Sequence, residues 1–283
     1  MSDSSLGIQK EETRIQEKEV KKKFYLLSDI HLEFHGDNFK TIDMYLNVPE
    51  DKTDNILILA GDIGYPFEPI FTLFIESCCS KFEMVFHVAG NHEYYDCELR
   101  KITMTDVKEQ LRKYQSSIPN YIFLDNEIFV LDNGLMIVGT TLWSAINPLA
   151  ARLIKDKIND YRNIYTSVSP IVRLTPSMVD DFHQENREWL KRVLVETDHK
   201  KLVISHHLPS TRLINDKFKG SVCNYAYASD DNDLFSGANI VLWCFGHSHS
   251  CEDRYISGVR CVSNTVGYPH ERTGYRKTAI FYF

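Results

Sequence analysis

The sequence lacks any apolar run near the roughly 18–20 residues that a membrane-spanning helix requires, so we predict no membrane span. It also lacks a CxxC pair among its 7 cysteines, and residues 1–23 hold no apolar segment typical of a secretory signal. We therefore expect a cytoplasmic protein with reduced thiols. Excess basic charge is absent as well, because the formal net charge is -7 and the one dense lysine run, at 21–23, is short. That balance disfavours a general nucleic-acid binder.

No internal repeat and no proline- or serine-rich linker divides the 283 residues. A chain of this length can bury a large core without disulfide support. Residues 1–23 carry many lysines and glutamates and almost no large apolar side chains, which predicts a charged, flexible arm. The composition changes at Phe24, and we predict a single domain over residues 24–283.

Short apolar runs that end abruptly in polar residues recur along that domain. They are FYLLSD from residue 24, NILILAGD at 55–62, MVFHVAGN at 84–91, KLVISHH at 201–207 and IVLWCFGH at 240–247. Continuous apolar runs of this length are typical of strands buried on both faces. Open α/β sheets bind their ligands beyond the carboxyl ends of such strands. The sequence therefore predicts an α/β fold with a polar site at the strand ends.

Helical patterns separate the apolar runs, and they are clearest at 67–80, 99–117 and 175–197. In the last of these, Thr175 is a predicted N-cap and Pro176 a predicted first helical residue. A β-rich stretch at 121–141 contains a predicted hairpin that turns at 132–134, where the sequence is Asp-Asn-Gly.

The polar residues at the strand ends form a mixed set of oxygen and nitrogen donors. They are Asp29, His31, Asp62, Asn91, His92, His206, His207, His247 and His249. Carboxylate, amide and imidazole groups without a thiolate set suit Mn, Fe, Zn or Mg. Residues two apart in an extended chain point to the same side, so Asp29 could share a pocket with His31, and His247 with His249. Asp62, alone at a central strand end, could bridge two ions.

The motifs occur in the order DxH, GD, GNHE, H and GHxH between residues 29 and 249. This ordered set resembles the signature of the calcineurin-like metallophosphoesterases. The stretches LTPSMVDDFHQENREWL at 174–190 and SNTVGY at 263–268 resemble segments of the cytosolic, GNHEYY-type members. The resemblance implies a Ser/Thr phosphatase-like α/β fold, a four-layer αββα sandwich. Two mixed β-sheets flanked by helices would carry a metal site at the carboxyl ends of their strands.

The resemblance also implies two divalent metal ions. Carried over residue by residue, the ligands of the first ion would be Asp29, His31 and His249, the bridging ligand Asp62, and the ligands of the second ion Asn91, His206 and His247. His92 would be the general acid. His207, beside a ligand, is left as a possible contact to phosphate or to a ligand.

The implied reaction is hydrolysis of a phosphate monoester or diester by in-line attack of a metal-bridging hydroxide, with His92 protonating the leaving group. We expect a small-molecule or phosphoprotein substrate. Glu93 is expected to hydrogen-bond to His92 or to a ligand. Tyr94 and Tyr95 could either pack against a neighbouring loop or contact the substrate. The loops at 64–70, 93–98, 143–170 and 207–237 are predicted to shape the pocket.

Four alternatives compete with this interpretation. A nuclease of the same superfamily remains open, although the scattered arginines and lysines at 212–219 and 272–277 are weak evidence for the basic groove it would normally present. A scaffold of the same fold would act by protein binding, but such relatives typically lack part of the ligand set, which is complete here. A structural zinc cluster could use Cys244, His247, His249 and Cys251, but it leaves the strand-end acids without a purpose. A serine or cysteine hydrolase is disfavoured because no GxSxG motif occurs and Cys97 is the one cysteine near the motifs.

Overall fold

Two β-sheets pack against each other in the computed structural model, which describes residues 21–35, 40–96 and 100–282. Its strands are β1 (Lys23–Leu27), β2 (Asn55–Ala60), β3 (Met84–Val88), β4 (Tyr121–Phe123), β5 (Glu127–Val130), β6 (Met136–Thr140), β7 (Tyr165–Val168), β8 (Ile171–Arg173), β9 (Lys201–Ser205), β10 (Ile240–Cys244), β11 (Asp253–Ile256), β12 (Val259–Val262) and β13 (Ile280–Tyr282). The five apolar runs form β1, β2, β3, β9 and β10, as predicted. Residues 1–20 of the predicted arm lie outside the described residues, and the single domain over 24–283 stays a prediction.

Both large sheets are mixed. The first has the order β13-β1-β2-β3-β4, in which β1 to β4 are parallel and β13 is antiparallel to β1. The second has the order β11-β12-β10-β9-β6-β5, with four parallel central strands and an antiparallel strand at each edge. Strands β7 and β8 form a separate antiparallel pair. The parallel strands of each sheet therefore end at one edge, which is where the polar motifs begin.

Alternate residues of each central strand face different layers. Phe24 and Leu26 of β1 belong to a buried cluster with Ile137, Leu202 and Ile204 of the second sheet. The intervening residues of β1 belong to a second cluster, which includes the helices on the outer face. Burying such a side chain stabilises the fold by about 1.5–3 kcal/mol, which explains why these strands are continuous apolar runs. The predicted four-layer α/β sandwich is confirmed.

The helices are α1 (Pro69–Lys81), α2 (Met104–Ser117), α3 (Ala151–Lys157), α4 (Asp160–Asn163) and α5 (Pro176–Glu196). The Thr175 side chain caps α5 by accepting from the amide of Met178, as predicted. The prediction of a helix from residue 99 was wrong at its start, because Thr103 and Asp106 form a capping box that begins α2 at Met104. None of the described helices combines the length and apolar character needed to cross a bilayer.

The β-rich stretch forms the expected hairpin between β5 and β6. Gly134 takes a positive φ of 79° at its turn. The stretch 143–170, predicted as a loop, contains α3, α4 and β7. These elements are too short to show a clear periodicity in the sequence.

Candidate metal centre

Seven predicted ligands and His92 meet at the edge where the parallel strands of both sheets end. Asp29 follows β1, Asp62 follows β2 and Asn91 follows β3, while His206 and His247 follow β9 and β10. Backbone bonds join neighbouring strand ends within each sheet: the amide of Asp29 donates to the carbonyl of Gly61 (2.9 Å), and that of Gly246 donates to the carbonyl of His206 (3.0 Å). All these predicted site residues except His249 are less than a tenth exposed. The fold thus collects the whole predicted set in one buried place.

The first group of donors surrounds His31 and His249, whose Nε2 atoms lie 3.0 Å apart. Asp29 Oδ1 is 3.5 Å from His249 Nε2, and Asp62 Oδ2 is 3.9 Å from His31 Nε2. The Nδ1 atoms of the two histidines donate to Glu33 (3.0 Å) and to Glu271 (2.5 Å). Burial raises the pKa of both glutamates, but their hydrogen bonds outweigh it and lower the pKa below its ordinary value.

This hydrogen-bond pattern fixes the state of both rings. A carboxylate can only accept, so the proton of each neutral imidazole resides on Nδ1. The two Nε2 lone pairs of His31 and His249 then face each other in a buried space, which is unfavourable unless a cation or a further proton lies between them. The first group therefore fits a metal ion.

The second group surrounds His206, whose Nδ1 donates to the carbonyl of Ala60 (2.8 Å). Its Nε2 lies 3.3 Å from Asp62 Oδ2 and 3.2 Å from Asn91 Oδ1. A donor atom of His247 lies within 4.8 Å of those of Asp62 and His206. Burial lowers the pKa of His206, but the Asp62 carboxylate outweighs it and raises the pKa to about 10. The Asp62 carboxylate thus favours a positive charge among the donors of this group, which a metal ion would supply.

Left-handed backbone brings the ligands together. The φ angles of Asp29, His31, Asp62, His247 and His249 are 52°, 53°, 55°, 67° and 45°. The expectation that extended chain aligns the DxH and HxH pairs was therefore wrong, although each pair does reach the site. A non-glycine residue in such a conformation costs about 1–3 kcal/mol, and strain of this kind concentrates at functional sites. Amide donors to two of the carboxylates help to hold these turns, from His247 to Asp29 (2.9 Å) and from His92 to Asp62 (2.8 Å).

Glu93 hydrogen-bonds to the backbone of a predicted ligand residue and of two neighbouring residues. Its carboxylate accepts from the backbone amides of Asp62 (3.0 Å), Ile63 (2.7 Å) and Gly90 (2.7 Å). The prediction that Glu93 bonds to His92 or to a ligand is confirmed for the ligand residue Asp62, through its backbone amide, whereas the side chain of His92 bonds to Glu33. Glu93 joins the two ligand-bearing turns after β2 and β3.

The partner of His92 is Glu33, whose Oε1 accepts from His92 Nδ1 at 2.9 Å. The ring of His92 stacks on Tyr95, with centroids 4.1 Å apart. Burial lowers the pKa of His92, but the carboxylates of Asp62 and Glu33 outweigh it and raise the pKa to about 9. Tyr94 instead packs against Trp143 and is 1% exposed. Of the two tyrosines, Tyr94 is a core residue and Tyr95 belongs to the surroundings of His92.

A cavity of about 400 Å³ opens beside the two groups. Its wall includes His92 and Tyr95, residues 157–160 at the end of α3, residues of 208–227, and Tyr268 and Glu271. Loops 143–170 and 207–237 thus line the pocket, whereas no described residue of 64–70 does. The sequence motifs did not indicate Glu271, which lies 22 residues beyond its partner His249. Lys157 is the only lysine or arginine among the described lining residues, so apart from the site histidines the protein itself offers little positive charge to a phosphate.

The sequence matches the calcineurin-like phosphoesterase family over residues 22–251. The chain belongs to this family. It is 30% identical over 269 residues to the uncharacterised protein L509 of Acanthamoeba polyphaga mimivirus, covering 89% of this chain and 94% of that one. Its fold is similar to the phosphopantetheinyl hydrolase PptH of Mycobacterium tuberculosis (TM-score 0.71, 14% identity, 93% and 96% of the two chains). It is also similar to TT1561 of Thermus thermophilus (TM-score 0.50, 11% identity, 87% and 90%).

In this calcineurin-like phosphoesterase, His207 lies behind the second group of donors. Its Nδ1 is 2.8 Å from the hydroxyl of Ser144, and its ring centroid is 4.3 Å from that of His247. Burial and the neighbouring imidazoles of His247 and His206 hold its pKa well below the ordinary value. The ring of His207 therefore packs against that of His247.

A substitution at Gly90 would show how tightly the donor atoms of this phosphoesterase are packed. A Cβ at this position would lie 2.2 Å from Asp62 Oδ1 and 2.7 Å from His206 Nε2. We expect Gly90→Ala to displace both side chains, lower metal content and reduce turnover about 100-fold, the usual effect of moving catalytic groups by about 1 Å. Elemental analysis and steady-state kinetics would check this.

A matched control for that variant is Gly258→Ala, where a Cβ meets nothing within 4 Å but φ is 88°. We expect it to cost about 1–2 kcal/mol of stability through backbone strain while leaving metal content unchanged. Full metal content and wild-type turnover in Gly90→Ala would contradict the close packing described here.

Proposed function

We propose that this chain is a dinuclear-metal phosphoesterase that hydrolyses a phosphate monoester or diester. The observation that carries the proposal is the position of one atom, Asp62 Oδ2. It lies 3.9 Å from His31 Nε2 in the first group of donors and 3.3 Å from His206 Nε2 in the second. A carboxylate placed between two such groups is suited to bridging two cations.

The donors divide into two coordination sets around that carboxylate. The first ion would be held by Asp29, His31, Asp62 and His249, and the second by Asp62, Asn91, His206 and His247. Mixed carboxylate, amide and imidazole sets accept Mn, Fe, Zn or Mg. When bound, two such cations lower the pKa of a coordinated water and neutralise negative charge on the phosphoryl oxygens.

The chain's own residues supply the remaining functions. His92 lines the cavity beside Asp62 and Asn91, and its Nδ1 proton is donated in a hydrogen bond to Glu33. Its Nε2 is therefore the nitrogen that can carry a proton to a leaving-group oxygen, a contribution of about 10²–10⁴-fold in general acid catalysis. The cavity beside it would take the leaving group of a small molecule or of a phosphoprotein. A single lysine among the described lining residues disfavours a nucleic-acid strand, which needs several backbone contacts.

The test is hydrolysis of p-nitrophenyl phosphate and of bis-p-nitrophenyl phosphate by protein stripped of metal and reloaded with Mn²⁺, Zn²⁺, Fe²⁺ or Mg²⁺. We expect turnover that depends on the metal and is lost again after chelation. The ratio of the two rates separates a phosphatase from a phosphodiesterase. Failure of both esters, and of a panel of alkyl phosphates, with every metal in protein shown to hold two ions would refute the proposal and favour a binding scaffold.

A further inference from the structure

Two buried carboxylates, Glu33 and Asp160, each join a predicted metal ligand to the surroundings of His92. Glu33 Oε1 accepts from His31 Nδ1 at 3.0 Å and from His92 Nδ1 at 2.9 Å. Asp160 Oδ1 accepts from Asn91 Nδ2 at 2.8 Å and from the hydroxyl of Tyr95 at 2.6 Å. The same pattern thus occurs on both sides of the centre, with one ligand of each predicted ion.

These bonds fix which atom each donor offers to the site. Because a carboxylate accepts only, Glu33 holds the proton of both imidazoles on Nδ1 and leaves both Nε2 atoms for the site. Asp160 in turn engages the amide nitrogen of Asn91, so the carbonyl oxygen faces His206. The assignment of ligand atoms therefore follows from Glu33 and Asp160.

The rings of His31, His92 and Tyr95 contact one another in a row between the two carboxylates. His92 lies edge-on to His31, with centroids 4.4 Å apart, and stacks on Tyr95 at 4.1 Å. Tyr95 is anchored by its hydroxyl to Asp160. His92 is consequently held on one side by Glu33 and on the other through Tyr95, so it cannot shift without disturbing a residue that also contacts a ligand.

The burial of Glu33 indicates that this arrangement serves more than folding. Its side chain is 5% exposed, and its Oε2 is buried with no hydrogen-bond partner within the described part of the chain. A buried carboxylate oxygen without a partner opposes folding. Such a group in a native protein calls for a functional explanation.

We propose that Glu33 and Asp160 are positioning residues that couple the two metal sites to His92. Glu33 sets the tautomer and orientation of His31 and His92 together, and Asp160 sets the amide of Asn91 and the ring on which His92 stacks. This inference rests on the proposed function and goes beyond it by assigning the residues that tie metal occupancy to proton donation.

The test compares Glu33→Ala with Glu33→Gln. Glutamine keeps an acceptor oxygen at the shared position and loses only the charge, whereas alanine removes the acceptor. We expect Glu33→Ala to weaken binding of the first ion by about 10–100-fold, the usual effect of removing a partner of a metal ligand. At saturating metal it should lose more turnover on an alkyl phosphate than on p-nitrophenyl phosphate. Glu33→Gln should keep most of the metal affinity and most of the turnover that Glu33→Ala loses. If Glu33 acted only through its charge, Glu33→Gln would lose as much as Glu33→Ala.

Asp160→Ala and Asp160→Asn are the corresponding pair of variants for the second ion. We expect their loss of turnover to depend less on the leaving group, because Asp160 contacts His92 only through Tyr95. The control is Asp231→Asn, which alters a carboxylate that is 4% exposed and pairs with Arg187 at 2.9 Å. We expect it to lower the melting temperature without changing metal affinity or the ratio of the two rates.

Two readouts separate this inference from the proposed function. If the wild type hydrolyses none of the esters, the proposed function fails, and calorimetric titration with Mn²⁺ still compares wild type with the Glu33 variants. Equal Mn²⁺ affinity in wild type and Glu33→Ala overturns the inference, as does an equal fractional loss on both esters in an active enzyme. If Glu33→Ala does not fold, Glu33→Gln and the two Asp160 variants provide the test instead. Losses in Glu33→Gln that match full removal of His92 would then overturn the inference.

Discussion

Asp62→Asn is expected to lower the occupancy of both metal positions and to reduce turnover by about 10³-fold or more, a loss of roughly 4 kcal/mol of transition-state stabilisation. Its Oδ2 faces both groups of donors, through His31 and His206. An amide in its place keeps the acceptor for the backbone of His92 but carries no charge to hold two cations. Elemental analysis of the purified variant, with kinetics at several metal concentrations, measures the effect.

Asp231→Asn again provides the control for removing a buried carboxylate charge away from the centre. Loss of a single ion in Asp62→Asn would show that this residue binds one metal without bridging. Full occupancy by two ions would contradict the bridging assignment altogether.

His92→Ala is expected to keep both ions and to lose about 10²–10⁴-fold in turnover of an alkyl phosphate. The loss on p-nitrophenyl phosphate should be far smaller, because nitrophenolate departs without a proton. The physical reason is the position of His92 in the cavity wall, where Glu33 holds its Nδ1 proton and Tyr95 supports its ring. Rates for esters with a range of leaving-group pKa values would measure the difference.

Tyr95→Phe is a useful companion variant, because it keeps the ring beneath His92 and removes only the hydroxyl bond to Asp160. We expect it to lose less turnover than His92→Ala on the same alkyl phosphate. An equal loss on good and poor leaving groups in His92→Ala would rule out the acid role.

The sequence predicted the parallel strands and the helices best, since burial on both faces and N-caps leave local patterns. The runs that became β1 and β10 are continuous because each packs between two layers. The cap at Thr175 was predictable because a threonine followed by a proline is a local sequence pattern of a helix start. Strand β13 was not predicted, because it is short and its partner β1 lies at the other end of the described chain.

The order of the motifs in the sequence also identified the candidate ligands, and the fold brings all of them together. It did not show what surrounds them. Glu33, Asp160 and Glu271 are ordinary acids in the sequence and become partners of the site only through tertiary packing. Asp160 lies 69 residues from Asn91, and nothing local marks the pair. The left-handed turns at the ligands were missed because non-glycine residues rarely adopt that conformation, and nothing local marks which aspartate or histidine does.

The separation of the ligands along the chain has a consequence for the order of events during synthesis. His31 and His249, whose Nε2 atoms lie 3.0 Å apart, are 218 residues apart. A ribosome adding roughly 5–20 residues per second needs about 10–40 s to make that interval. Throughout it the nascent chain offers Asp29, His31, Asp62 and then Asn91 without the histidines of the second sheet. On the proposed function, both metal sites can therefore be completed only as a late step of biosynthesis, when the two sheets have come together.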